Sequence, residues 1–286
     1  MATENTILTS DLARVREIDF ITQFNGSLAK LVEALGVTRK IAVQEGTTLK
    51  ALKVTGTLAG GTVAEGELIP LSKYKTEEVP VGEVKLNKWR KATTAEAILK
   101  GGYDQAVGAT TDKMVKDIQK TIRTGFFGFL AKGGSTATGA GLQAALANGW
   151  GKLQVLWEDD AVDTVYFVNP MDVSDYLGSA QVSVQTAFGM SYIENFLGLG
   201  RVFLNSSVPQ GKFYATAAEN VVLYHVDVTN SALAQSFDLS TDELGYIGIN
   251  EYPDKPHACV EDLVLSGVTF FPERLDGIVV GTIAGE

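Results

Sequence analysis

The residues of this chain that could do chemistry are few, and their spacing argues against most of the chemistry they suggest. GAGLQA (139–144) fits the dinucleotide pattern G-x-G-x-x-A, with Glu158, Asp159 and Asp160 about 20 residues on, where an acid would meet a ribose. The stretch before it, KGGSTAT, reads as a loop rather than the hydrophobic strand such a site requires, so these glycines predict a hinge. NGWGKL (148–153) approximates a phosphate loop, yet Leu146 stands at the leading glycine and Leu153 at the hydroxyl that would hold magnesium. There is no G-x-S-x-G elbow. The two histidines, His225 and His257, lie 32 residues apart, and His225 falls in an apolar strand as a hydrogen-bonded structural residue would. Cys259, the single cysteine, opens a predicted strand and reads as a small buried apolar side chain. The acidic clusters Glu158–Asp160 and Asp238–Glu243 lack the ligand spacing of a calcium loop and read as helix starts or solvated turns. These residues predict no catalytic group, no cofactor and no metal site.

The elements that would have to position any site read as α+β. From Asp11 to Leu35, apolar residues at Leu12, Val15, Ile18, Ile21, Phe24, Leu28, Leu31, Val32 and Leu35 give one helical stripe, broken near Asn25–Gly26 and ended by Gly36. A second helix spans Tyr103 to Ala131. Val107, Met114, Val115, Ile118, Ile122, Phe126 and Leu130 line one face of it, and Asp112, Lys113, Lys116, Asp117 and Lys120 the other. At about 1.5 Å per residue it would be roughly 40 Å long, a beam across the molecule. GGSTATGAG (133–141) reads as a flexible hinge. Beyond it come a helix (142–157), a buried strand (163–170), a short helix (171–180), strands at 201–208, 212–217 and 220–228, and further strands across 257–283.

Residues 44–92 read as a long two-stranded flap with no core of its own. Its arms are QEGTTLKALKVTG (44–56) and SKYKTEEVPVGEVKLNKWRKA (72–92), joined by TLAGGTVAEGELIPL (57–71). Leu49, Ala51 and Lys53 alternate with Lys50, Leu52 and Val54, so neither face is purely apolar. An isolated hairpin of this kind is marginal in water, which points to a partner surface on another chain.

Composition fits a globular chain of 286 residues with 45% hydrophobic and 20% charged residues. No run of about 18 apolar residues is present, so no membrane partner is expected. The start shows no signal-peptide pattern, and one cysteine permits no intrachain disulfide; both suit a reducing cytosol or an oxidising compartment whose chemistry goes unused. The net charge of −10 is unevenly spread: residues 1–157 sum to +5 and residues 158–286 to −15. Such a split serves a nucleic-acid surface, a solvated acidic face, or complementary surfaces on neighbouring copies. Glu77, Glu78 and Glu83 interrupt the basic residues of the second arm, and only Tyr74 and Trp89 are there to stack, so direct nucleic-acid recognition is disfavoured. A merely solvated hairpin is the plainer alternative.

The order of apolar helix, charged hairpin, long helix, glycine-rich hinge, α/β body and returning strands resembles the major capsid proteins of tailed bacteriophages, the Hong Kong 97-type fold. FITQFNGSLAKLVEALGVTR (20–39) with EGTTLKALK (45–53) is similar to their passage from arm to extended loop. YDQAVGATTDKMVKDIQKTI (103–122) looks like their spine helix, and FVNPMDVSDYLGSA (167–180) with FLGLGRVFLNSSVPQGKFYATAAENVVLYHVDV (196–228) resembles their axial domain. The resemblance implies an N-terminal arm (1–43) reaching across a neighbour, an extended loop (44–92), and a peripheral domain with the spine helix (93–134). An axial domain (135–251) and returning peripheral strands (252–286) would complete the subunit.

It further implies a structural, non-enzymatic subunit that assembles in the bacterial cytoplasm into pentamers and hexamers of a virion shell. Its partners would be other copies of itself, a portal, double-stranded DNA touched without specificity, and either a separate scaffolding protein or none. Candidate inter-subunit residues are Leu58, Val63, Leu68, Lys73, Lys75, Lys85, Lys88 and Arg90. The family archetype has a cleaved assembly domain before the arm, which is not seen here. It also has a lysine–asparagine crosslink; Lys73 or Lys75 with Asn250 is conceivable, but nothing local marks them and ordinary surface lysines are the better reading. Two alternatives stay open: a nanocompartment shell around a cargo enzyme, and a small-oligomer α/β enzyme whose hairpin folds back on its own chain.

Overall fold

The computed structural model describes residues 9–157, 162–179, 183–229 and 231–285. The first helix, α1 (Thr9–Leu35), is unbroken. The expected interruption at Asn25 is absent because the Asn25 amide donates to the Asp242 carboxylate instead of turning back on its own backbone. Phe20, Ile21, Phe24, Leu28, Leu31 and Leu35 are buried in the central core of the same chain. Gly36, with φ of +70°, ends the helix. Strand β1 (Lys40–Val43) then joins a sheet of its own chain. The arm expected to cross a neighbour therefore falls, over residues 20–43, on a segment seated on its own body.

Strands β2 (Thr48–Thr57) and β3 (Lys73–Glu83) form the expected antiparallel hairpin. The second arm does not run to residue 92: the chain turns at residues 84–86 and β4 (Asn87–Thr94) leaves for another sheet. Val84, fully buried, is the pivot. Next come α2 (Ala95–Gly101), capped by Thr94, a π-helical turn (Asp104–Gly108) and α3 (Ala109–Leu130). The predicted beam thus begins with a π turn. That turn frees the Val107 carbonyl, which accepts from Lys91 Nζ at 3.1 Å and from the Thr110 and Thr111 hydroxyls at 2.8 and 2.7 Å. Val115, Ile118, Ile122, Phe126 and Leu130 bury the apolar face as their spacing requires.

The stretch expected as a flexible hinge is instead β5 (Ser135–Ala140), leading directly into α4 (Gly141–Leu156). Gly139 and Gly141 serve this junction. A Cβ on Gly139 would lie 2.3 Å from the Ala145 nitrogen, and Gly141 has φ of +72°. Then follow β6 (Thr164–Val168), α5 (Pro170–Ser179), β7 (Gln185–Ala187), β8 (Met190–Ile193), β9 (Arg201–Leu204), β10 (Lys212–Ala217) and β11 (Val221–Val226). The chain ends with α6 (Ser231–Ser236), β12 (Ser240–Thr241), β13 (Ile247–Asp254), β14 (Cys259–Ser266), β15 (Thr269–Pro272) and β16 (Ile278–Ala284).

Among the described residues these strands make four sheets, ordered β5-β16-β10-β6-β9-β8-β7, β12-β13-β14-β4, β1-β11-β15 and β2-β3. Strand β6 shows how the body is built. Val165 and Phe167 face the central core under α1 and α3, while Tyr166 and Val168 face a second core under α4 and α5. The boundary expected at residue 251 falls inside β13. Of the strands expected to return to the peripheral part, β14 pairs with β4, whereas β16 lies inside the seven-stranded sheet beside β10.

Candidate assembly surface

The β2–β3 hairpin is anchored at one end only. At its base, Leu49, Ala51 and Val84 pack with Val226 and Phe271, Gly82 lies against the Phe129 ring, and Lys132 Nζ donates to the Val81 carbonyl at 3.2 Å. Beyond Ala51 the two strands contact mainly each other. At about 3.4 Å per residue, ten residues reach roughly 30 Å from the base. The connection is held by Ser72, whose hydroxyl accepts from Ala59 N at 2.9 Å, and by glycines at positive φ, Gly60, Gly61 and Gly66. Exposed ion pairs run along the ladder: Lys50–Glu78 at 2.6 Å and Lys75–Glu77 at 2.7 Å. Each is worth roughly 0–1 kcal/mol at most, so they set charge rather than hold the hairpin.

The distal end carries apolar side chains that its own chain leaves uncovered. Leu58 is 79% exposed, Leu68 93% and Leu71 94%, with Ile69 and Tyr74 also exposed. Several large apolar side chains exposed on one short connection make it a candidate interaction surface. Of the predicted contact residues, Leu58, Val63 and Leu68 lie in this tip and Lys73 and Lys75 on the strand beside it, opposite Thr57 and Thr55. Lys85 sits in the corner before β4, where the hydrogen bond from its ammonium to Glu83 raises its pKa. Lys88 and Arg90 belong to β4, opposite Leu265 and Leu263 of β14, so they form a separate group on the body. Ile69, Leu71 and Tyr74 were missed. The signal was the apolar run LIPL, whose proline cannot extend a ladder and whose leucines therefore have no place in the hairpin's own pairing.

Where α1 meets the four-stranded sheet, a buried polar network joins elements distant in sequence. Glu17 accepts from the Glu251 backbone N–H at 2.6 Å and from the Ser240 hydroxyl. Glu251 accepts from Arg16 at 3.1 Å and from the Tyr103 hydroxyl, and the Arg16 guanidinium lies 4.2 Å from the centre of the Tyr103 ring. Lys91 pairs with buried Asp262 at 2.7 Å. Burial raises the Glu251 carboxyl pKa, and burial together with Glu251 pushes Tyr103 up to about 12.

The other chemical candidates resolve separately. His225 is buried edge-on to Tyr246 with ring centres 4.8 Å apart, and burial lowers its pKa, which favours the neutral ring. Its Nδ1 has no hydrogen-bond partner among the described residues, so packing rather than a hydrogen bond holds it. Asn250 donates to the Phe237 carbonyl at 2.7 Å. Glu158–Asp160 lie outside the described residues, and Asp242 serves as a turn acceptor for the Gly245 N–H as well as for Asn25. GAGLQA does follow a strand, contrary to expectation. Yet β5 and β6 are separated in the sheet by β16 and β10, so the adjacent βαβ unit of a dinucleotide site is not formed. Cys259 opens β14 as predicted but is only partly buried; desolvation, Asp254 and Glu261 raise its thiol pKa.

No protein-family model matches this sequence, and no curated protein does. Solved structures do match its fold over most of their length. The cyanophage A-1(L) capsid asymmetric unit is 11% identical, with 89% of this chain and 93% of that chain covered at a TM-score of 0.55. The mature capsid of bacteriophage PhiM1 is 10% identical, covering 86% and 85% at 0.52. The holo-SrpI encapsulin complex from Synechococcus elongatus is 13% identical, covering 99% and 91% at 0.51. The chain has the α+β capsid fold, of the Hong Kong 97 type.

Proposed function

We propose that this chain is the major capsid subunit of a tailed bacteriophage head, a structural protein that assembles into pentamers and hexamers around double-stranded DNA. The observation that carries this is the hairpin: on a capsid fold, its distal half projects from the body and ends in leucines that its own chain leaves bare. The enzyme alternative required the hairpin to fold back on its own chain; its base does pack there, but its distal half stays exposed, which favours the structural reading. Apolar packing at the tip would supply most of the association energy, with Lys73 and Lys75 giving register against an acidic neighbour. Many weak contacts per subunit then add up through multivalency. A scaffolding protein, a portal and non-specific contact with the packaged DNA complete the proposed set of partners. The fold shared with the encapsulin complex supports one second reading, a nanocompartment shell around protein cargo.

Light scattering after size exclusion, with negative-stain imaging, tests this. Megadalton closed shells, or discrete pentamers and hexamers, are expected, and their content of nucleic acid or protein separates the two shell readings. A product that stays monomeric alone and with candidate scaffolding proteins would sink both. Replacing residues 58–72 by Asn-Gly, a two-residue turn that preserves the Thr57–Lys73 register, should leave a folded body that no longer assembles.

A further inference from the structure

Beyond the shell reading, and independent of it, the end of the β13–β14 hairpin gathers a donor set. Asp254 and Cys259 are register partners on either side of the Lys255–Ala258 turn, and Glu261, two residues beyond Cys259, emerges on the same face of β14. Carboxylate oxygens of Asp254 and Glu261 and the Cys259 sulfur all lie within 4.8 Å of one another. Exposed His257 places Nδ1 2.6 Å from Asp254 Oδ2. The turn holds these groups together: Ala258 adopts a positive φ of 49°, and its carbonyl accepts from Ala95 N at 2.9 Å.

We propose that Asp254, Cys259 and Glu261, with His257 as fourth ligand, bind one divalent transition-metal ion of the zinc class. One sulfur, one imidazole nitrogen and two carboxylates form a borderline-soft set that suits zinc and its neighbours rather than calcium or magnesium, which take oxygen ligands. Tetrahedral zinc with bonds of about 2.0–2.3 Å sets its ligand atoms roughly 3.5 Å apart. For Asp254, Cys259 and Glu261, closing from the present separation takes about an ångström of side-chain rotation at the end of a hairpin, whereas His257, near Asp254 but outside that group, must swing further. Three contacts compete and must be accommodated: the Tyr252 hydroxyl donates to Glu261 at 2.6 Å, Arg90 lies 3.7 Å from the same oxygen, and His257 Nδ1 and Asp254 Oδ2 are engaged with each other at 2.6 Å. All four ligands lie between residues 254 and 261, so a bound ion would staple the end of the β13–β14 hairpin, beside which β4 and the cap of α2 are already paired through Cys259 and Thr94.

The test is zinc titration of the purified full-length chain, read by calorimetry and by the reactivity of its one thiol toward a disulfide reagent. One equivalent is expected, protecting Cys259 about tenfold or more. Cobalt in place of zinc should give a thiolate-to-cobalt charge-transfer band. Cys259→Ser, Asp254→Asn and His257→Ala should each weaken binding by about tenfold or more, with unchanged circular dichroism. Full thiol reactivity in saturating zinc, or Cys259→Ser binding as tightly as the parent, would overturn the proposal. Both readouts apply to an unassembled subunit, so failure here leaves the shell reading untouched, and the reverse holds.

Discussion

Glu251 is a carboxyl that folding makes harder to ionise, and this has a signed consequence. Burial is the largest cause of its raised pKa, reinforced by Asp262 and Glu17 and opposed by Tyr103 and Arg16. The folded state therefore holds this proton to a higher pH than the unfolded chain does. The stability it contributes is complete below the ordinary carboxylate range and is lost as pH rises through the raised value. Glu251→Gln keeps the volume and an acceptor oxygen but cannot titrate. The melting temperature of the variant minus that of the parent should climb with pH just above the ordinary carboxylate range and then level off; a flat difference would remove Glu251 from the argument. Gly139→Ala is a second case at this scale. Its methyl group would meet the Ala145 and Ala144 backbone, which cannot rotate away, so a loss of several kcal/mol in denaturant unfolding is expected. The glycine was visible in the sequence as part of G-x-G, but its reason was not. Likewise Glu17 and Glu251, 234 residues apart, carry no local mark of their contact.

At the scale of elements, periodicity was enough where one face meets one core. The stripe of α1 from Phe20 onward, that of α3, the buried run of β6 and the proline that ends β15 were legible in the sequence, whereas Ile18, expected in the α1 stripe, is exposed. It failed where neighbours decide. STATGA is too polar to read as a strand, yet it pairs in parallel with β16 along its whole length. The second hairpin arm looked continuous because alternation persists through residues 84–86, although the chain changes sheets there. Segments β7, β8, β12, β13, α2 and α6 fall outside the elements expected from sequence; β12 is two residues long and borrows its order from β13. The reading of α1 as a crossing arm separates from the observed core helix by mutation. Phe24 is fully buried and edge-on to Phe188, so Phe24→Ala should cost the isolated subunit about 3–5 kcal/mol. An arm helix docked on a neighbour would leave the isolated subunit's stability unchanged. For the hairpin tip the expectation is opposite. Leu68→Ser with Leu71→Ser should leave the subunit's melting temperature within a degree or two, since both are already in water, and abolish assembly by light scattering.

For the whole molecule the uneven charge sets two electrostatic effects against each other. Each copy carries a net −10, so copies repel at long range. The hairpin proposed to reach a neighbour bears Lys73 and Lys75 beside Glu65, Glu67 and Glu77, while the second half of the chain sums to −15, so the short-range attraction in the proposed contact is local to these two lysines and is weakened at Lys75 by its pairing with Glu77. Salt separates them by distance. At about 0.01 M the screening length is roughly 30 Å and the net repulsion acts across the whole approach; at about 0.1 M it is roughly 10 Å, and the local attraction survives while the long-range repulsion fades. Near 1 M, at roughly 3 Å, both are suppressed. The initial rate of assembly, followed by light scattering, should therefore pass through a maximum at intermediate ionic strength. Lys73→Glu with Lys75→Glu removes the attraction and adds charge of the repelling sign, so its rate should be lower and should rise with salt throughout. If the parent rate also rises throughout, or parent and variant coincide, the lysines take no part in encounter and the tip leucines alone direct the hairpin to its neighbour.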